Sequence, residues 1–162
     1  FLQGKRAFLS KDQTRTAFRT RQVTPWPPFS KGLENRKNAL RWTALGKLMG
    51  RQKSFQTSLR GCNLSMSRSD FIMVDGYDET FDQLWGREDS DICYRLFHSG
   101  VKIKNLWFSA LQYHLFHPSI KNRQRDRLDE ELQTIRNTRR KTALNGYSGL
   151  SEEGGIVASS TR

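Results

Sequence analysis

The chain has 162 residues, 28 Lys/Arg against 16 Asp/Glu, a net charge of +12 and 35% hydrophobic residues. That length allows one domain with a sizeable core or part of a larger one, while the low apolar content points to a long uncovered tail or an incomplete fold. No apolar run approaches the ~20 residues of a membrane-spanning helix, and two cysteines outside any CxxC pair exclude a disulfide framework. Residues 1–6 carry neither an initiator Met nor a signal-peptide pattern and read as mid-chain sequence, so a fragment is expected. Cys62 and Cys93 lie among apolar residues and are expected to be buried free thiols in a reducing cytosol.

The charge is unevenly placed. Residues 1–60 hold fourteen Lys/Arg against two Asp/Glu, whereas residues 61–162 hold fourteen of each. Such a basic segment suits an anionic partner, whether a phosphorylated lipid surface, a nucleotide diphosphate or nucleic acid; it also serves simply as a solvated face that keeps the protein soluble.

Taken in chain order, residues 5–10 alternate and predict a short strand, and Ser10-Lys11-Asp12 opens a short helix. Thr24-Pro25-Trp26-Pro27-Pro28-Phe29 reads as a rigid extended linker, because its prolines exclude helix. Residues 33–49 read as a basic helix with Leu33, Leu40, Ala44 and Leu48 near one stripe, weakened at its end by Gly46 and Gly50. Residues 62–66 predict a strand, and Ser69 a cap for a helix over 70–74 that Asp75-Gly76 ends. Residues 77–84 read as loop. The clearest helix covers 88–99, with Ile92, Cys93, Leu96 and Phe97 on one face and Gly100 as its stop. Strands follow over 101–106 and 109–115, then a charged helix over 122–144 carrying Leu128, Leu132 and Ile135 on one side. After Asn145-Gly146 the chain is Gly/Ser-rich, and 147–162 reads as a disordered tail. Neither an internal repeat nor a glycine-rich phosphate loop is present.

Chemistry concentrates in two places. Trp85-Gly86-Arg87-Glu88-Asp89-Ser90-Asp91 sets three carboxylates at the head of the clearest helix, where the helix dipole favours them. A carboxylate there can bind a sugar hydroxyl or remove its proton, with Trp85 offering a flat face to the ring; an acidic helix cap beside a buried Trp accounts for the same residues. His114-Leu115-Phe116-His117 sets two imidazoles three residues apart at a strand end, able to converge on a divalent metal or to be partly buried structural groups. His98, near a helix C-terminus, is explained by the dipole.

Gly61-Cys62-Asn63-Leu64-Ser65-Met66-Ser67-Arg68-Ser69-Asp70, then Asp75-Gly76-Tyr77-Asp78-Glu79-Thr80-Phe81, then the Trp85 to Asp91 motif, Arg95-Leu96 and Gly100 together resemble the C-terminal half of inverting family 2 glycosyltransferases. The same order recurs in the related β-1,4-galactosyltransferase C-terminal region, and Gly4-Lys5-Arg6-Ala7-Phe8-Leu9-Ser10 resembles the segment that precedes it in bacterial members. The resemblance covers about residues 1–120 and is densest over 61–118.

It implies an α/β fold: an incomplete GT-A domain, Rossmann-like and binding nucleotide sugars, present as its C-terminal half with a long C-terminal helix. The implied layout is a basic GT-A segment with linker over 1–60, an acceptor-side catalytic portion over 61–120, the C-terminal helix over 121–146 and the tail over 147–162. The resemblance also implies that Asp89 is the base deprotonating the acceptor hydroxyl, and that Glu88 binds the acceptor. Trp85 and Gly86 become the acceptor platform and its hinge, His117 a ligand for Mn2+ or Mg2+, and His114 a second ligand where galactosyltransferases use Met. Implied partners are a nucleotide-sugar donor and a glycan or glycolipid acceptor, with peripheral contact to an anionic membrane and no nucleic acid. The implied place is the cytoplasm, peripheral at the inner face of the cell membrane, in polysaccharide or lipopolysaccharide synthesis. Residues 1–60 contain no Asp-x-Asp motif, so the nucleotide-binding half is expected to be missing.

Two other readings compete. A basic nucleic-acid-binding module would use the charge excess with interleaved Phe8, Phe18, Trp26, Phe29 and Trp42, but it leaves the acidic motif unexplained. An inactive remnant would only bind glycans.

Overall fold

The computed structural model describes residues 1–21, 29–57, 59–84, 86–118 and 125–149, so Trp85 and the proline-rich linker over 24–28 lie outside the described residues. The chain divides into two units, Phe1–Ser65 with Lys102–Lys121, and Met66–Val101 with Asn122–Arg162.

The first unit contains β1 (Leu2–Gln3), β2 (Lys5–Phe8), α1 (Lys11–Thr20), α2 (Thr43–Met49), β3 (Gln52–Lys53), β4 (Leu64–Ser65), β5 (Ile103–Asn105) and β6 (Leu111–His114). Four strands form a mixed sheet in the order β3-β5-β1-β4, with β1 parallel to β5 and antiparallel to β4. β2 and β6 form a separate parallel pair, Lys5 opposite Leu111 and Phe8 opposite His114. Alternation along β2 sends Ala7 inward, where it meets Leu9, Leu33 and Ala39, with Tyr113 packed against them.

The opening of α1 follows its local sequence. Ser10 Oγ accepts from the Gln13 N–H at 3.3 Å while Gln13 Oε1 accepts from the Ser10 N–H at 2.9 Å. This reciprocal pair satisfies two donors that a helix start leaves open.

The helix expected over 33–49 does not form as one piece. Phe8 and Glu34 exchange backbone hydrogen bonds, 3.2 and 3.0 Å, which hold Leu33 and Glu34 extended beside β2. A short 3-10 turn, Arg36–Ala39, follows, then extended Leu40, then α2. Of the four apolar residues on the expected stripe only Leu33 is buried; Leu48 is 81% exposed. Long-range pairing has overridden helical periodicity, which is a weak preference for so short a segment.

The second unit is helical: α3 (Arg68–Met73), α4 (Glu88–His98) and α5 (Arg125–Thr138), with a 3-10 stretch, Glu79–Leu84, between α3 and α4. The cap of α3 is Ser67 rather than Ser69. Ser67 Oγ accepts from the Asp70 N–H at 3.0 Å, and the Ser69 hydroxyl bonds that of Ser67 at 2.9 Å. Only the residue three before the receiving amide can reach it from the cap position. Likewise residues 61–63 are a 3-10 turn, and the strand expected over 62–66 shortens to β4.

Ile92, Cys93, Tyr94, Leu96 and Phe97 of α4 are buried, as are Val74, Phe81, Leu128 and Ile135. Each fully buried Ile or Leu contributes about 1.5–3 kcal/mol relative to exposure. Gly100, φ +85°, ends α4 in the left-handed region that glycine enters without a side-chain penalty. The chain stays engaged beyond the expected start of the tail: Asp75 accepts from the Ser148 N–H at 2.7 Å and from its hydroxyl at 2.8 Å. No helix among the described residues is long and apolar enough to cross a membrane.

Candidate functional site: an acidic helix head and a histidine pair

The acidic motif folds as a corner followed by a helix. Gly86 (φ +129°) and Arg87 (φ +75°) carry the chain round, and a side chain at position 86 would be strained in that backbone. The first helical bond of α4 then runs from the Asp91 N–H to the Arg87 carbonyl at 2.8 Å. The cap position belongs to Arg87, which makes no side-chain cap; Arg87 Nη2 instead forms an ion pair with Asp129 Oδ1 at 2.5 Å. Glu88, Asp89 and Asp91 therefore sit inside the first turn, where the helix dipole favours carboxylates, and none is the cap residue itself.

The three carboxylates then diverge. Asp91 and Arg95, one helical turn apart, are fully buried. Arg95 Nη2 lies 2.5 Å and Nε 3.0 Å from Asp91 Oδ2. The same guanidinium donates to the Val74 carbonyl and, at 2.8 Å, to that of Gly76. Burial drives the Asp91 carboxyl up, against the opposing pull of Arg95. Asp91 is thus a structural anchor that ties α4 to the turn after α3.

Asp78, also buried, extends this network. It accepts from Arg140 Nη2 at 2.9 Å, from the Leu144 N–H at 2.8 Å and from the Thr80 N–H at 3.1 Å. Burial alone would raise its carboxyl, but the bonds from Thr80 and Leu144 and the charge of Arg140 outweigh it and hold Asp78 below the usual carboxylate value.

Glu88 and Asp89 are half-buried. Ser90 Oγ donates to Asp89 Oδ1 at 3.2 Å. Glu88 Oε2 is shielded from solvent and has no hydrogen-bond partner among the described residues. A buried carboxylate oxygen without a donor is costly, and its natural complement is a hydroxyl supplied from outside. Tyr77 faces the same charges: burial raises its phenol, and Cys93, Asp89 and Glu88 push it further. Sequence reasoning placed Tyr77 in a loop and gave it no role. Cys93, buried as expected, is pushed up to about 12 by burial and then by Asp89 and Asp91, so it stays a neutral thiol; Cys62 is only half-buried.

The histidines belong to the first unit. His114 Nε2 and His117 Nε2 lie 2.9 Å apart, and His117 Nδ1 is 3.0 Å from the Pro118 carbonyl. At that separation one ring nitrogen donates a hydrogen bond to the other, in the direction their tautomers set. Burial, then the charges of Arg6 and His117, holds His114 below the ordinary imidazole value, which favours its neutral, ligand-competent form. Two nitrogens bound at ~2.0–2.1 Å and at right angles would themselves stand about 2.9 Å apart, so the pair can fill two adjacent positions on a divalent ion. No group of three or more His, Cys, Asp or Glu suited to a metal occurs among the described residues. Further ligands would have to be oxygens of a bound molecule. His98, in the second unit, bonds the Arg140 carbonyl through Nδ1 at 2.8 Å, a structural contact.

Of the expected site residues, the structure sets Gly86, Glu88 and Asp89 together at one helix head and His114 with His117 at one strand end, the two groups in different units. What sequence reasoning missed is the buried role of Asp91, whose four-residue spacing to Arg95 was its only signal.

Comparison with protein families matches residues 50–118 to the family described as the N-terminal domain of galactosyltransferase. No curated protein and no solved structure matches the chain. The matched stretch is less than half of the chain but contains the acidic helix head, α3, α4 and both histidines. The match together with a mixed α/β structure carrying a small sheet points to a glycosyltransferase-type domain, and hence in general to a nucleotide-sugar donor and a glycan acceptor.

Proposed function

We propose that this chain carries the acceptor-side machinery of an inverting, family 2-type glycosyltransferase with a GT-A fold. Asp89 is the general base, Glu88 binds the acceptor, and Trp85 with Gly86 shapes the acceptor platform. The acceptor oxygen attacks the anomeric carbon, its proton passes to Asp89, and the bond from that carbon to the nucleoside diphosphate breaks on the opposite face. His117 and His114 would hold a Mn2+ or Mg2+ ion, which when bound neutralises the departing diphosphate. A glycan or glycolipid acceptor, reached at an anionic membrane surface, suits the basic first sixty residues.

The observation that carries this reading is Glu88 Oε2, buried and without a donor among the described residues, beside Asp89 at the head of a helix whose other face is locked in the core. Locking that face holds the helix head, and with it the backbone of Glu88 and Asp89, in a fixed position. In a transfer assay with nucleotide-sugar donors, glycan acceptors and manganese, Asp89→Asn is expected to lose about 10²–10⁴-fold in rate while donor binding persists, because only the base is removed. Unchanged turnover refutes the assignment.

A further inference from the structure

The charge excess of the first sixty residues has a structural focus to which the transferase reading gives no ligand. A cleft of about 240 Å³ opens in the first unit, and its wall includes Lys5, Arg6, Lys37, Arg60, Asn38 and Trp107 but no acidic residue. Among the described residues none of these four cations pairs with a carboxylate. Lys5 Nζ sits 3.8 Å from the centroid of the Trp107 ring and donates to Asn105 Oδ1 at 3.0 Å. A chain of amides holds that acceptor in place: Asn105 donates to Gln56 at 2.7 Å, Gln56 to Gln3 at 2.9 Å, and Gln3 to the Arg60 carbonyl at 3.1 Å. Gln3 and Asn105 are buried, so the ammonium is fixed from beneath by groups with little freedom. Arg6 Nε is buried and lacks a hydrogen-bond partner among the described residues. Burial, then Lys53, Arg60 and Lys37, lowers the Lys5 ammonium below its ordinary value, as expected where like charges gather uncompensated.

From this convergence we infer that the cleft is a phosphate site, taking one phosphomonoester carried on a small, sugar-sized molecule, with Lys5, Arg6, Lys37 and Arg60 as its cations. A dianion answers four cations that have no carboxylate partner among the described residues better than a single carboxylate does. The volume lies below the ~300–1,000 Å³ of pockets for drug-sized ligands, so a phosphorylated monosaccharide fits and a whole nucleotide sugar does not. The inference stands on the first unit alone and is independent of the transferase reading.

The test titrates the full chain with inorganic phosphate, a hexose 6-phosphate and the free hexose, by calorimetry and by NMR of the lysine ammonium groups. Both phosphates should saturate with a Kd on the order of 1 mM and the free hexose should not bind. Phosphate should also raise the Lys5 ammonium back toward its ordinary value. The exposed pair Lys37→Gln with Arg60→Gln should weaken binding at least ~10-fold. Lys11→Gln with Lys102→Gln, which removes the same charge away from the cleft, should weaken it less than about twofold. Non-saturable phosphate binding, equal loss in the two double variants, or an unmoved Lys5 titration overturns the assignment; the last reading needs no variant to fold.

Discussion

In the second unit Arg87, Arg95 and Arg140 all end on carboxylates, Asp129, Asp91 and Asp78, and two of those carboxylates are fully buried. In the first unit Lys5, Arg6, Lys37 and Arg60 border one cleft; Lys5 meets the Asn105 amide and the Trp107 ring, Arg6 lies over the Phe8 ring, and among the described residues none of the four pairs with a carboxylate. The three pairs of the second unit hold it together, because breaking a buried pair leaves a costly uncompensated charge. Charge in the strand-bearing unit is half-exposed, tolerated by water and available to a ligand. The same residue types thus divide by burial into cement and contact.

The strongest way to break this contrast is Arg95→Met. It leaves buried Asp91 with only the Arg140 guanidinium, 3.7 Å from Oδ1, and strips donors from the Val74 and Gly76 carbonyls, so a loss of about 3–5 kcal/mol is expected. Hydrogen exchange should show α4 amides losing protection while the β2 and β6 pairing keeps its own. Equal loss in both units would mean that they unfold together.

At the histidine pair, His117→Ala should raise the manganese concentration needed to broaden the His114 NMR signals several-fold, since one of two chain ligands is gone. The same variant should move the His114 titration upward, because the charge of His117 helps hold it down. An unaltered manganese titration removes His117 from the site.

The smallest effect concerns pH. Asp78 has a folded-state pKa below its unfolded value, so its contribution is fully present above the unfolded value of about 3.9 and is lost as pH falls through the depressed folded one. Urea midpoints measured from pH 6 down to 2 should fall in the parent chain, and Asp78→Asn should show a shallower fall below about pH 4. A slope unchanged by that substitution assigns the acid sensitivity to other carboxylates.

How much was legible depended on distance along the chain. The opening of α1 was readable because Ser10 and Gln13 satisfy each other three residues apart. α4 was readable because its apolar face repeats at helical spacing and Gly100 stops it. The cap of α3 was misplaced by two residues because two serines competed locally and only geometry chose Ser67. The break in the stretch 33–49 came from Phe8, some twenty-five residues upstream, through a backbone pairing that no periodicity announces.

Sequence by itself determined the basic bias of the first sixty residues, the acidic head of α4 and the closeness of His114 to His117, since composition and contacts within about four residues need no closure of the chain. Tertiary structure alone decided that Asp91 is an interior partner while Glu88 keeps an oxygen without a donor among the described residues, and that Lys5, Lys37, Arg60 and Trp107 border one cleft. The physical reason is that burial and long-range convergence are paid for by loop closure and packing of the whole unit, terms that no local pattern of residues contains.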